Sequence, residues 1–171
     1  MARMAPPESV PVERAIPPAI ATLVGNRILM WLLAGRRRAS SVGQGLLLLH
    51  VTGRRTGRVY STPVAYHRQE GGRLLVLTNS RWRVNLRGAP TSVEVTLLGR
   101  RVPATAVLEE DPVVVAEVYE RLIGEFGATK AGRRLGIRIN VDRAPTHDEL
   151  VETARREHLS VLHLDMTPEH G

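Results

Sequence analysis

The chain of 171 residues has no cysteine, which excludes disulfides, thiolate metal sites and a cysteine nucleophile and fits a reducing compartment. Aromatic residues make up only 4% of it, too few to build stacking platforms for single-stranded nucleic acid. Long apolar runs are also missing. Ile28 to Ala34 is the longest in the N-terminal helix candidate, far short of the ~20 residues that cross a bilayer. Pro6, Pro7, Glu8, Pro11 and Glu13 break up any apolar core of a secretory leader, so a cytoplasmic location is expected. His50, His67, His147, His158, His163 and His170 show no paired ligand spacing, and no metal is expected. There is no nucleophile elbow and no P-loop. Gly43-Gln44-Gly45 precedes its strand instead of following it, so a dinucleotide fingerprint fails.

Lysine is nearly absent too, with one Lys beside 23 Arg. Arginine-rich codon usage explains the choice of residue but not its distribution. Residues 1–101 carry 16 Arg and four acids, a balance of +12, whereas residues 102–171 carry eight basic and 13 acidic residues, a balance of −5. Positive charge gathered in one stretch marks a candidate anion-binding surface. Nucleic acid, anionic lipid and a polyanionic cofactor all satisfy that condition; nucleic acid rests on net charge alone and none is expected as a partner.

The length suits one domain, expected over 17–171 after a loose Pro-rich segment at 1–16. Pro17 and Pro18 open a helix to about Ala34, with Ile20, Leu23, Val24, Ile28 and Trp31 at helical spacing. Its apolar face suits the core or, given Arg36 to Arg38 just after it, a membrane surface. From Leu46 to Val51 the run is almost continuously apolar, as in a strand buried on both faces. Further strands are predicted at Val59–His67, where Pro63 suggests an edge or bulge, and at Arg73–Thr78. Val93–Leu98 and Val102–Leu108 make a hairpin about Gly99-Arg100. A short helix over Trp82–Arg87 ends at Gly88 and Pro90. The expected centre is therefore a five-strand antiparallel meander. Asp111-Pro112 starts a helix, Thr146 and Glu149 form a capping box for another to about His158, and Leu159–Leu164 is a last strand.

Two segments could carry chemistry. In Gly53-Arg54-Arg55-Thr56-Gly57-Arg58 two glycines permit a tight turn, and three guanidiniums and a hydroxyl offer what a phosphate needs; an exposed Arg-rich hairpin turn would look the same. Asn79-Ser80-Arg81-Trp82-Arg83-Val84-Asn85 leaves a buried strand and opens a helix, where Asn79 or Ser80 can cap and Trp82 can pack on a planar ring. An ordinary capped helix, with Trp82 in the core and Asn85 bonded to backbone, reads equally well. Glu109-Glu110-Asp111 reads as a solvated helix start.

The order Gly53-Arg54-Arg55-Thr56-Gly57, Thr62-Pro63, Gly71-Gly72, then Trp82, Asn85-Leu86-Arg87 and Pro90 resembles the deazaflavin-dependent nitroreductase family of split β-barrel proteins. The matching stretch runs from Leu46 to Leu108, and the tail from Gly136 to Leu164 is similar to a subgroup linked to lipid or fatty-acyl substrates. The resemblance implies an α+β fold: an antiparallel split β-barrel of the FMN- or F420-binding type, with an N-terminal helix and flanking C-terminal helices. It implies coenzyme F420 as cofactor, with FMN as the alternative. Arg54, Arg55 and Thr56, with Gly57 and Arg58, would hold the cofactor's phosphate and acidic tail. Tyr60, Ser61, Thr62, Pro63, Val64 and Ala65 would line its phosphate and sugar-like chain. Leu77, Thr78, Asn79 and Ser80 would give backbone contacts to the ring, flanked by Trp82 and Asn85. Many members carry Arg where Tyr60 stands and a longer loop before the Trp helix.

The function implied is an oxidoreductase that passes a hydride from reduced F420 to an enone, quinone, nitro compound or lipid-like alkene, with Tyr60 and Tyr66 as candidate proton donors. A hydrophobic small-molecule substrate is the expected partner, and a monomer or homodimer the expected state. The alternative is a non-catalytic barrel that binds fatty-acyl chains or a membrane surface, peripheral at its inner face.

Overall fold

In a computed structural model of the chain, residues 10–15 and 45–167 are described. The predicted helix at 17–34, the arginines at 36–38 and most of the Gly43-Gln44-Gly45 segment lie outside them. The described strands are β1 (Val12–Arg14), β2 (Leu46–Thr52), β3 (Val59–Ala65), β4 (His67–Arg68), β5 (Leu74–Thr78), β6 (Thr91–Leu97), β7 (Arg100–Glu109), β8 (Ile137–Ile139) and β9 (Ser160–Met166). The helices are α1 (Pro112–Phe126), α2 (Ala128–Leu135) and α3 (His147–Arg156), with short 3-10 helices at Glu70–Gly72 and Arg81–Leu86. They gather into two compact units: a sheet unit closed in sequence by Asp111 and resumed at Ser160, and a helical unit built from the N-terminal residues and 112–159.

The sheet unit is an antiparallel seven-stranded sheet in the order β3-β2-β6-β7-β9-β5-β4. Its two edge strands are neighbours in the chain, separated only by Tyr66. The sheet must therefore curl until its edges come together, which is the open, split form of a barrel. Tyr66 is buried at the junction and its N–H donates to the Gly45 carbonyl at 2.9 Å. Leu47, Leu49 and Val51 point into the core, and Leu48 is buried as well, so β2 is covered on both faces as its unbroken apolar run predicts. Pro63 has no N–H to give a second neighbour, and β3 is indeed an edge. Leu98 and Gly99 take positive φ, the twist a two-residue hairpin turn requires between β6 and β7.

The α+β split-barrel class is what the structure has, but the five-strand meander is not. β3 and β5 are not paired; β9 enters from far along the chain and lies between β7 and β5. Leu164 pairs with Leu74 on one side and Ala106 on the other. Val161, Leu162 and Leu164 are fully buried, and burying each contributes roughly 1.5–3 kcal/mol, which favours an inside place for β9.

In the helical unit, α1 buries Val115, Ala116, Tyr119, Leu122 and Ile123. Burial pushes the Tyr119 phenol up, so it stays neutral. The capping box forms: Glu149 N–H donates to Thr146 Oγ1 at 3.3 Å, and Thr146 N–H to Glu149 Oε2 at 2.8 Å. The expectation of a loose segment over 1–16 gives way at Val12–Arg14, which pairs with β8. The buried Val12 is held further by Arg156, whose guanidinium donates to its carbonyl at 2.7 Å. Among the described residues no helix is long and apolar enough to cross a membrane.

His50 joins three strands on the far side of β2 from the core. Nδ1 lies 2.7 Å from Ser61 Oγ on β3, and Nε2 2.8 Å from Thr96 Oγ1 on β6. Burial, then the charge of Arg101, lowers its pKa from 6.5, against a smaller opposing pull from Glu94. The fold thus favours neutral imidazole. Its contribution to stability is complete above 6.5 and is lost as pH falls through the lowered folded value. Urea unfolding at pH 7.5 and 5.5 is expected to show the chain weaker at 5.5, and His50→Gln to flatten that difference; an equal slope in both proteins would refute it. Glu149, held down to about 2 chiefly by the Arg143 guanidinium, adds a loss of the same sign only below 4.5.

Candidate functional site

The loop between β2 and β3 closes on itself. Gly53 N–H donates to the Arg58 carbonyl and Gly57 N–H to the Gly53 carbonyl, both at 2.8 Å. Gly57 sits at φ +66, a left-handed position that favours glycine. Gly53 is favoured for a different reason: a Cβ there would lie 2.9 Å from the Tyr60 ring and 3.1 Å from Thr56 Oγ1, so those side chains would have to shift. The edge of the Tyr60 ring thus comes close to the loop at Gly53, and Arg58 stands 5.9 Å over the centre of that ring.

The second segment turns back to meet this loop. Arg54 N–H donates to Asn85 Oδ1 at 3.1 Å, while Asn85 Nδ2 donates to the Trp82 carbonyl at 3.0 Å. The Arg54 guanidinium also donates to the Arg87 carbonyl. Two motifs some thirty residues apart are thus stapled through Arg54 and Asn85. Trp82 is half-buried and packs against the barrel core.

The helix there is a six-residue 3-10 turn, in which Ser80 holds the N-cap position but makes no side-chain cap bond. Arg83, only 8% exposed, makes a different contact with the segment: its Nη1 donates to the carbonyls of Asn79 at 2.9 Å and Ser80 at 3.2 Å. These bonds commit the Arg83 guanidinium to the fold, so Arg83 itself is not open to an anion. The Arg83 Nε donates to Glu110 Oε1 at 3.2 Å, and Arg87 grips the same carboxylate with two bonds of 2.7 and 3.0 Å. The hydrogen bond from Arg87, above all, lowers the Glu110 pKa. Glu110 is not a solvated helix start; it is the counter-ion of this cluster. Nothing local in the sequence marks the pairing, although residues 45–93 contain one acid, Glu70, against eight Arg.

The remaining residues fall into place as follows. On β3, Tyr60 pairs with Val51, Ser61 with His50 and Thr62 with Leu49, so Tyr60, Thr62 and Val64 share one face and Ser61, Pro63 and Ala65 the other. Thr62, Pro63 and Val64 are half-buried and Ala65 exposed. Thr78 is buried, and its Oγ1 accepts from Ser80 N–H at 3.0 Å; Leu77, Asn79 and Ser80 are half-buried. The two candidate phenols part company: Tyr60 is 44% exposed, while Tyr66 is 7% exposed in the barrel core. Arg55, Arg58 and Arg81 are exposed, and their guanidiniums make no hydrogen bond or ion pair among the described residues. Arg54, Arg83 and Arg87 are committed within the fold; these three are available to an incoming anion.

The model of a family described as F420H(2)-dependent quinone reductase matches residues 34–141. No curated protein matches the chain. One solved structure, titled a domain-swapped dimer, aligns at 14% identity over 81% of this chain and 93% of its own, with a TM-score of 0.41, a likeness too distant to argue from.

Proposed function

Because the chain belongs to the F420H(2)-dependent quinone reductase family, we propose that it holds reduced F420 at the arginine loop and reduces an electrophilic small molecule there. The observation that carries this reading is the set of three exposed guanidiniums, Arg55, Arg58 and Arg81, without carboxylate partners among the described residues. F420 ends in a phosphate and a chain of glutamates, and forked cationic donors beside a glycine-built loop suit that chemistry. Thr56 adds a hydroxyl and Trp82 a flat apolar flank for the ring. When bound, the reduced deazaflavin supplies the hydride.

The protein's share is to bind, orient and exclude water. Tyr60 is the better placed of the two phenols to hold a proton for the reduced product, since Tyr66 is enclosed by the core. A quinone is the first substrate to test; enones, nitro compounds and lipid-like alkenes are electrophiles of the same kind. No observation on the described residues favours the fatty-acyl or membrane reading.

Titration of the purified chain with F420, followed by deazaflavin fluorescence, is expected to saturate in the micromolar range. An absence of binding at tens of micromolar removes the proposal. A yellow preparation carrying FMN, with no response to F420, would transfer the site to the flavin.

A further inference from the structure

Glu110 directly follows β7, yet its carboxylate contacts lead toward the arginine loop. One carboxylate oxygen takes Arg83 at 3.2 Å and Arg87 at 3.0 Å; the other takes Arg87 at 2.7 Å. Arg83 pins the carbonyls of Asn79 and Ser80, fixing the chain as it leaves β5. The backbone of Arg87 presents the carbonyl that receives the Arg54 guanidinium, and Asn85, two residues earlier, receives the Arg54 N–H. The line runs Glu110, Arg87, Arg54, with no contact between its ends.

We infer that Glu110 is a positioning residue: by clamping Arg83 and Arg87 it fixes the segment that holds Arg54, and so sets where Arg55 and Arg58 are presented to an anion. This rests on the reading of the loop as the F420 site. The chemistry favours a carboxylate for the task. Arg83 is nearly buried, so its charge needs a counter-ion, and the fork of Arg87 matches both oxygens of one carboxylate at once. Glutamine at 110 would keep the shape and one acceptor but lose the charge and the second acceptor.

The experiment is a double-mutant cycle on the full chain, measured as F420 affinity: wild type, Glu110→Gln, Arg54→Ala and the pair. Glu110→Gln is expected to weaken binding roughly five- to tenfold, and the pair to lose less than the product of the single losses, the signature of residues acting along one connection. Hydrogen exchange without cofactor supplies a second readout, the Arg54 amide exchanging faster in Glu110→Gln than in wild type. Should that variant fail to fold, Arg87→Lys, which keeps the charge and loses the fork, is expected to shift affinity and exchange in the same direction. Unchanged affinity in a folded variant, or losses that simply multiply, overturns the inference. A wild type that does not bind F420 refutes the proposed function instead, and the exchange of Arg54 then decides alone whether Glu110 holds the loop.

Discussion

A chain ended after Leu159 is expected to lose the cooperative unfolding of its sheet unit. β5 has two partners, the two-residue β4 and β9, so removing β9 cuts β4 and β5 away from β3-β2-β6-β7. The truncation abolishes five register pairs with β5 and six with β7. It also removes Val161, Leu162 and Leu164, whose burial contributes about 5–9 kcal/mol in all, as much as the whole net stability of many domains. Thermal unfolding followed by tryptophan emission would test it, and a sharp transition retained by the truncated chain would contradict the topology. The milder Leu162→Ala should keep the fold at a cost of about 2–5 kcal/mol.

The second large effect concerns binding. Arg55→Ala with Arg58→Ala is expected to weaken F420 about a hundredfold, since each charge-assisted contact is worth about 1.5–3 kcal/mol and exposure puts these near the lower end. Stability should move by no more than about 1 kcal/mol, because neither guanidinium makes a hydrogen bond or ion pair with the described fold and Arg58 loses only its ring contact with Tyr60. The dependence of affinity on salt should flatten in parallel, as fewer charges meet the anion. Arg54→Ala makes the contrast: it should lower both affinity and stability, because Arg54 ties the loop to Asn85 and Arg87. If Arg55→Ala with Arg58→Ala leaves affinity within threefold of wild type, the anion is held elsewhere.

What could be read ahead of the structure was local. The apolar run of β2, the edge marked by Pro63 and the capping box at Thr146 each depend on a few consecutive residues, and each appears; the expected β6–β7 hairpin forms too, with its turn at Leu98-Gly99, one residue before the expected Gly99-Arg100. What escaped reading was the pairing of distant segments. Nothing in Ser160–Met166 says that it lies between β5 and β7, because any apolar strand satisfies the same pattern, and nothing in the three residues Val12–Arg14 announces β8. The site divides in the same way. The loop and the Trp-bearing turn were visible as motifs, and the structure ties them together through Arg54 and Asn85. The roles of the arginines were not visible, because residue type does not tell a guanidinium that binds its own fold from one that is free. Arg83 and Glu110 are 27 positions apart and meet only once β7 is in place.

The inside position of β9 has a consequence for the nascent polypeptide. β5 leaves the ribosome more than eighty residues before the strand that will cover its open side. During that interval the apolar face of β5 has only β4 beside it, a template for pairing with a neighbouring molecule. Closure must wait for the helical unit to be translated, so slow elongation through residues 112–159 would prolong exposure, and a chaperone engaged over that stretch would raise the yield of properly folded protein.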